Sequence, residues 1–271
     1  MGGAAYLKSR LLAVATMSAL LGGVGGVLYA SRARTRVVDE PPKTVNTPTP
    51  RDIALRSFAS VVLVTTRDAR GRPVATGSGF VIREGVIATS FHVLRGAASG
   101  SVRLVGERES NKIAGAFAVD DATDLAVLSV PTLAAPPLPL GDSANVAIGD
   151  RVFVVGNPQD LEGTFSEGIV SGKRKLDGVR MLQITAPISG GSSGGPVLDD
   201  RAQVVGVAAS SLRTGQNLNF AISGDYLSPM VRNLADLREL AKVAGPPREK
   251  PVRTARAEGF FRRLGRWLHL R

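Results

Sequence analysis

The stretch SGGSSGGPVLD at residues 189–199 sets Ser193 inside a glycine-rich run, with Gly194 and Gly195 directly after it. A serine nucleophile needs a tight turn that exposes its oxygen, and backbone N–H groups free to face the oxyanion formed on attack. Glycines permit both, because they tolerate sharp turns and close approach. A surface turn is the alternative interpretation, since Gly-Ser clusters are common in loops. The stretch alone leaves both interpretations open.

Two further segments favour a catalytic role for Ser193. TSFHVL (89–94) places His92 just after the apolar run VIAT, and DATDLAVL (121–128) places Asp124 at the start of another apolar run. Taken singly, His92 fits a structural histidine and Asp124 fits a cap at a strand entry. The order His, Asp, Ser in one β-rich chain is much harder to explain by accident, and it predicts a catalytic triad.

These segments resemble the trypsin-like serine proteases of the HtrA/Deg group. TSFHVL is similar to the histidine motif of that group, TDLAVL to its aspartate motif and GSSGGPV to its serine motif. Four more stretches match the same domain in the same order, and the resemblance covers roughly residues 54–235: GSGFVI (77–82), VVGNP (154–158), EGIVSG (167–172) and LNFAIS (218–223).

The resemblance implies an all-β, chymotrypsin-like fold of two six-stranded Greek-key β-barrels. The first barrel is expected at about residues 54–140 and the second at about 145–224, with the active site in the cleft between them. Ten short β-like segments with turn signals between them agree with such a fold. Apolar residues at three-and-four spacing predict one closing helix over 225–243, which Gly245 and two prolines end.

The resemblance also implies a role for each site residue in hydrolysing peptide bonds of protein substrates. Ser193 is the expected nucleophile, His92 the general base and acid, and Asp124 the group that orients the imidazole. The backbone N–H groups of Gly191 and Ser193 are expected to hold the oxyanion. The substrate pocket is expected to be built from two short segments, Pro187, Ile188 and Ser189, and Asn219, Phe220 and Ala221. No metal or cofactor is required.

Some residues depart from the group's pattern. Ser192 stands where the group usually has Asn, and Ser90 and Phe91 replace the usual residues before the histidine. The sequence after the protease region is too short for the PDZ domain of many relatives. These departures keep a second hypothesis open, a catalytically silent, protease-like binding module at a membrane.

An α/β-hydrolase is rejected, because that fold needs the order Ser, Asp, His, and the only histidine after Ser193 is His269 near the end.

Composition narrows the function classes further. The chain has no cysteine and two histidines, which excludes a cysteine nucleophile and a Cys- or His-rich metal site. Its net charge of +11 lies in the tails, because residues 52–245 carry 19 basic and 19 acidic side chains. A nucleic-acid-binding core is expected to hold its own basic surplus, so we predict no nucleic-acid partner.

The ends of the chain predict a membrane protein. Residues 11–30 are twenty uncharged positions, enough for a helix to span a bilayer, although a cleaved signal peptide is the rival interpretation. We therefore expect a membrane anchor or signal segment (1–36), a Pro/Thr-rich linker (37–51), the protease domain (52–243) and a basic tail (244–271). Within the tail, residues 259–271 form an amphipathic segment suited to an anionic membrane surface.

The resemblance implies an extracytoplasmic protease domain in a bacterial envelope, active in protein quality control or regulated proteolysis. It leaves homo-oligomerisation open.

Overall fold

The computed structural model describes residues 48–157, 163–211, 218–232 and 234–246. All of them belong to one compact unit, Thr47–Arg271. The predicted anchor at 11–30 and the predicted amphipathic segment at 259–271 lie outside the described residues. Within the described part of the chain, no helix combines the length and the apolar character needed to cross a bilayer.

The described residues are mainly β-structure. The α-helices are α1 (Pro50–Phe58), α2 (Leu227–Arg232) and α3 (Leu240–Val243), and short 3-10 helices cover Phe91–Val93 and Gly224–Tyr226. The strands are β1 (Val61–Arg67), β2 (Pro73–Arg83), β3 (Val86–Ser90), β4 (Ser99–Leu104), β5 (Asn111–Lys112), β6 (Gly115–Asp120), β7 (Leu125–Ser129), β8 (Arg151–Gly156), β9 (Thr164–Leu176), β10 (Val179–Ile184), β11 (Pro196–Leu198), β12 (Val204–Ser211) and β13 (Asn219–Ser223).

The first half of the domain is an open sheet. Seven strands lie in the order β5-β4-β1-β2-β3-β7-β6, so the predicted closed barrel of six strands over 54–140 is wrong. Strands β5 and β6 stand at opposite edges and do not pair with each other. The physical reason is that β5 and β6 follow one another along the chain, with only residues 113 and 114 between them. The Ile113 N–H donates to the Gly100 carbonyl of β4 and the Ala114 N–H to the Ser129 carbonyl of β7, so the chain passes from one edge of the sheet to the other instead of pairing them.

The second half confirms the prediction of a closed six-stranded barrel. Its strands follow the order β10-β13-β12-β11-β8-β9, and every pairing between them is antiparallel. Buried residues of both halves form one shared hydrophobic cluster, which includes Phe80 and Leu125 from the sheet and Phe153, Leu198 and Phe220 from the barrel. The two halves therefore pack as a single folded body.

The predicted closing helix over 225–243 is wrong as a continuous element. The chain forms α2 up to Arg232 and resumes helical structure only at α3. Between them, Arg238 pairs with Ala116 of β6 through two backbone hydrogen bonds of 2.8 and 2.9 Å. The free edge of β6 offers backbone groups that must be satisfied, and this tertiary pairing overrides the local helical pattern.

Candidate active site

His92 and Asp124 are brought together by two neighbouring strands. His92 lies in the 3-10 helix that follows β3, and Asp124 lies in the turn that precedes β7. Strands β3 and β7 are paired, with Ser90 opposite Leu125, so the end of one meets the start of the other. The Phe91 N–H also donates to the Asp124 carbonyl at 3.0 Å. The sheet register therefore places the imidazole beside the carboxylate.

The carboxylate of Asp124 binds His92 at two points. Oδ2 lies 2.6 Å from His92 Nδ1, and Oδ1 accepts the His92 backbone N–H at 2.8 Å. Both side chains are about one-third exposed. This bidentate contact holds the imidazole with Nδ1 toward the carboxylate, which leaves Nε2 to exchange a proton with a reacting group.

Ser193 lies in the turn between β10 and β11. Its hydroxyl donates to the carbonyl of Ala209 at 3.0 Å, and no hydrogen bond joins it to His92 among the described residues. Ala209 sits where the pairing of β12 with β13 shifts register, so that its carbonyl is outside the regular ladder. The Asp124 carboxylate and the His92 imidazole are therefore in contact, whereas the Ser193 hydroxyl is hydrogen-bonded to the backbone.

The glycine after Ser193 lets this turn approach the strand that leads to His92. Gly194 has a φ of +87°, and a Cβ there would collide with the Ser78 carbonyl and lie 2.8 Å from Ser90 N. A side chain at this position would therefore push the turn away from the end of β3. The close approach brings Ser193 to the same edge of the sheet as the His92–Asp124 pair.

The two backbone groups predicted for the oxyanion hole are not used internally. Neither the Gly191 N–H nor the Ser193 N–H donates to an acceptor within the described residues. Their neighbours are engaged, because the Ser192 N–H donates to the Ser189 carbonyl at 3.0 Å and the Gly194 N–H to Ala208 at 2.8 Å. Free donors in a turn that is otherwise hydrogen-bonded are available to an oxyanion.

Ser192 faces inward. Only 5% of it is exposed, and its Oγ accepts a long hydrogen bond of 3.4 Å from the Ser189 N–H. The Ser192 hydroxyl therefore contacts its own loop, whereas the Ser193 hydroxyl contacts Ala209 of β12.

The six residues predicted for the substrate pocket separate into two groups. Pro187, Ile188 and Ser189 line a cavity of about 130 Å³, together with Ser192 and residues of β8 and β9. Asn219, Phe220 and Ala221 are buried in β13 and do not line that cavity, although the Asn219 side chain donates to the Ala186 carbonyl at 2.9 Å. None of the described residues that line the cavity is acidic.

Two features of the site were not assigned from the sequence. Ser78 contacts the loop that carries Ser193, and Arg95 pairs with Asp121, which joins the segment after His92 to the turn before Asp124. The GSG pattern around Ser78 was a signal, because a serine between two glycines in an apolar strand invites close backbone contact. Among the described residues, no group of three or more His, Asp or Glu side chains could hold a metal ion.

The comparisons with known proteins support a trypsin-like peptidase domain. A family model for the trypsin-like peptidase domain matches residues 77–207. The chloroplastic protease Do-like 1 of Arabidopsis thaliana is 31% identical over 213 residues, which covers 73% of this chain and 47% of that protein. The chain spans about half or less of the length of the first curated relatives it matches.

Solved structures show the same fold. The HtrA-type protease AlgW has a TM-score of 0.62 and 27% identity, and the match covers 69% of this chain and 64% of AlgW. The active form of the Rv3671c protease from M. tuberculosis has a TM-score of 0.64 and 25% identity, over 77% of this chain and 92% of that one.

Proposed function

Because this chain is an HtrA-like protein built on a trypsin-like peptidase domain, we propose that it is a serine endopeptidase that uses His92, Asp124 and Ser193. The observation that carries the proposal is the bidentate contact between Asp124 and His92, with an Nδ1 to Oδ2 distance of 2.6 Å. An imidazole fixed in this way is a general base beside a serine turn rich in glycine.

The proposed reaction begins when the Ser193 hydroxyl leaves Ala209 and turns to the imidazole. Oγ attacks the scissile carbonyl while His92 takes the hydroxyl proton, and the Gly191 and Ser193 N–H groups receive the oxyanion. His92 then gives the proton to the leaving amine as the peptide C–N bond breaks. Water, activated by the same imidazole, hydrolyses the acyl-enzyme and restores Ser193.

The proposed setting is a bacterial envelope, with residues 11–30 as a single membrane anchor and the protease domain outside the cytoplasm. The spanning length of 11–30 supports an anchor, and the amphipathic pattern of 259–271 supports a second contact with the membrane surface. A relative in Hahella chejuensis, 37% identical over 171 residues, carries the name probable periplasmic serine endoprotease DegP-like. The proposed substrates are polypeptides, in quality control or regulated proteolysis, and a homo-oligomer is compatible with this role.

One observation favours a second candidate, a catalytically silent binding module. The Ser193 hydroxyl donates to Ala209, and a serine held there permanently would leave the His92–Asp124 pair without a nucleophile. The open oxyanion donors argue for the enzyme, since a silent module has no need to leave them unsatisfied.

Labelling with a fluorophosphonate probe separates the two candidates. In an active enzyme, Ser193 Oγ bonds to phosphorus, fluoride leaves and His92 takes the proton, so the full chain becomes labelled. We expect labelling of the wild type, and none of Ser193→Ala or His92→Ala. Labelling that persists in Ser193→Ala would place the reactive nucleophile at another residue and reject the triad. A wild type that stays unlabelled and cleaves no unfolded protein would reject the triad and favour the binding module.

A further inference from the structure

We infer that Ser78 is a positioning residue for the oxyanion hole, and that its hydroxyl holds the loop of Gly191 and Ser193 from the opposite half of the domain. The inference rests on the proposed function and adds a residue to its machinery. Ser78 lies on β2 of the open sheet, whereas the loop belongs to the closed barrel. One side chain therefore connects the two halves at the point where charge would develop during catalysis.

The contacts of Ser78 meet the loop on both sides of Ser192. Its Oγ donates to the Gly191 carbonyl at 2.7 Å, and its backbone N–H donates to the Ser193 carbonyl at 2.8 Å. These carbonyls belong to the two residues whose N–H groups are proposed to bind the oxyanion. The N–H of a residue lies in the peptide unit before that residue, and its carbonyl lies in the unit after it. The two bonds from Ser78 therefore fix the peptide units on both sides of the one that carries the Ser193 N–H, and the unit next to the one that carries the Gly191 N–H. Fixed neighbouring units limit the rotations that would turn the two donors away.

The loop needs such a restraint, because its backbone is intrinsically free. Gly191 has a φ of +97°, a region open to glycine, and it follows a second glycine at position 190. Glycine loses more conformational freedom on ordering than any other residue. Without an external hydrogen bond, the peptide units around Gly191 would sample orientations that do not present the N–H to a substrate.

Ser78 is itself held in place by a closed set of hydrogen bonds. It is fully buried, and its Oγ accepts the Asn157 N–H at 2.9 Å while its carbonyl accepts the Thr89 hydroxyl at 2.7 Å. Because Oγ uses a lone pair to accept the Asn157 N–H, its own proton remains available to donate to the Gly191 carbonyl. Gly156 provides the space, because a Cβ there would lie 3.1 Å from both Ser78 Oγ and Ser192 Cα.

The test compares Ser78→Ala with Ser143→Ala in the full chain. Ser143 is a matched control: it is buried, and its Oγ donates at 2.6 Å to a backbone carbonyl, that of Val205, away from the loop. With a fluorogenic peptide, we expect Ser78→Ala to lower kcat about 10- to 100-fold. This decrease should not exceed the decrease in kcat caused by removing an oxyanion donor itself. KM should change little, because the restraint acts on the transition state.

Two readouts distinguish positioning from general destabilisation. The affinity of a peptide boronate, which mimics the oxyanion, should fall by the same factor as kcat, while that of the cleaved product stays unchanged. The ¹⁵N–¹H resonances of Gly191 and Ser193, followed by selective labelling, should shift or broaden in Ser78→Ala only. Ser143→Ala should lower the melting temperature by a similar amount without either effect.

Equal kcat and boronate affinity in the two variants would overturn the inference, as would unmoved amide resonances in Ser78→Ala. A wild type that neither hydrolyses peptides nor reacts at Ser193 would reject the proposed function instead. In that case the amide resonances of Gly191 and Ser193 alone test whether Ser78 positions the loop. Resonances that shift only in Ser78→Ala would support the positioning role, and resonances that do not shift would reject it.

Discussion

Asp124 adopts a left-handed backbone conformation, with a φ of 55°. Aspartate is among the few non-glycine residues that enter this region readily, and such residues cluster at functional sites. The turn before it is held by Asp120, whose Oδ1 accepts the N–H groups of Ala122 and Thr123 at 2.9 and 3.3 Å. The local turn thus holds the residue whose carboxylate contacts Nδ1 and the backbone N–H of His92.

Ser193, and not its neighbour Ser192, is expected to be the nucleophile. Ser193→Ala should lower kcat by several orders of magnitude, because the remaining groups cannot form an acyl-enzyme. Ser192→Ala should leave measurable turnover, since its hydroxyl makes only a long contact inside the loop. Peptide hydrolysis by the two purified variants is the measurement, and the reverse order of activities would refute the assignment.

The sequence offered candidates for the site residues, whereas it gave no indication of their hydrogen-bond partners. His92, Asp124 and Ser193 stand in short motifs whose residue types are tied to one chemistry. The partner of the Ser193 hydroxyl is a backbone carbonyl exposed by an irregular pairing of β12, and no side-chain pattern signals that. For Ser78 the GSG pattern indicated close backbone contact, but it did not indicate which backbone groups the hydroxyl would bind.

Helix α1 is part of the folded domain, although the sequence predicted a linker up to residue 51. Thr49 and Asp52 form a capping box, and Ile53 is only 1% exposed within the shared hydrophobic cluster. Hydrogen bonds to Thr49 lower the pKa of Asp52.

Ile53→Ala is therefore expected to lower the free energy of unfolding by about 2–5 kcal/mol. Leu55→Ala is the control on the same helix, because Leu55 is 62% exposed and should change the free energy by about 0.5 kcal/mol or less. Chemical denaturation measures both. Equal, small effects would show that the helix contributes nothing to the core.

The segment 187–189 is expected to select small or medium aliphatic residues before the cleaved bond. Among the described residues, none that lines this cavity is acidic, so that lining offers a buried Lys or Arg side chain no charged partner. The cost of about 3 kcal/mol or more corresponds to a factor of roughly 150 or more in kcat/KM. A peptide-library profile measures this preference, and a profile dominated by Lys or Arg would contradict it.

Two matched variants test whether this cavity determines the preference for the residue before the cleaved bond. Ile188→Ala enlarges the cavity and should move the preference toward larger side chains. Ile148→Ala changes an exposed isoleucine outside the cavity and should leave the profile unaltered.

At the scale of elements, the apolar strands were predictable and the edges of the sheet were not. Central strands such as β3 and β7 are fully buried, and their continuous apolar runs are visible in the sequence. β5 has two polar residues and no pattern to detect. The helical spacing over 225–243 was real, but pairing of Arg238 with β6 divides it, and that contact joins residues far apart in the chain.

At the scale of the whole molecule, the orientation in the membrane is a proposal in which two arguments conflict. Lys and Arg number two before residues 11–30 and five within about twenty residues after them, which by the positive-inside rule would keep the protease domain in the cytoplasm. Relatives named periplasmic, such as the one in Hahella chejuensis, favour the opposite side, and we propose that outcome for this chain.

Alkaline phosphatase fused after Asn46, before the cap of α1, should be active in a bacterial host, and a fluorescent protein at the same point should stay dark. The reverse pattern would show that charge sets the orientation. A variant with Arg32, Arg34 and Arg36 changed to Ala tests the charge argument directly, because it removes three of the five positive residues. If charge opposes export, this variant should increase phosphatase activity.

The pairing of Arg238 with Ala116 also affects how readily copies of the chain associate with each other. The open sheet has two edges, and one of them, β5, is only two residues long. The other, β6, has part of its outer backbone occupied by the returning chain. Truncation or proteolytic loss of the residues from 234 onward would uncover that edge and give a strand of another copy a template for pairing. The last described segment therefore protects the protein against aggregation as well as completing its fold.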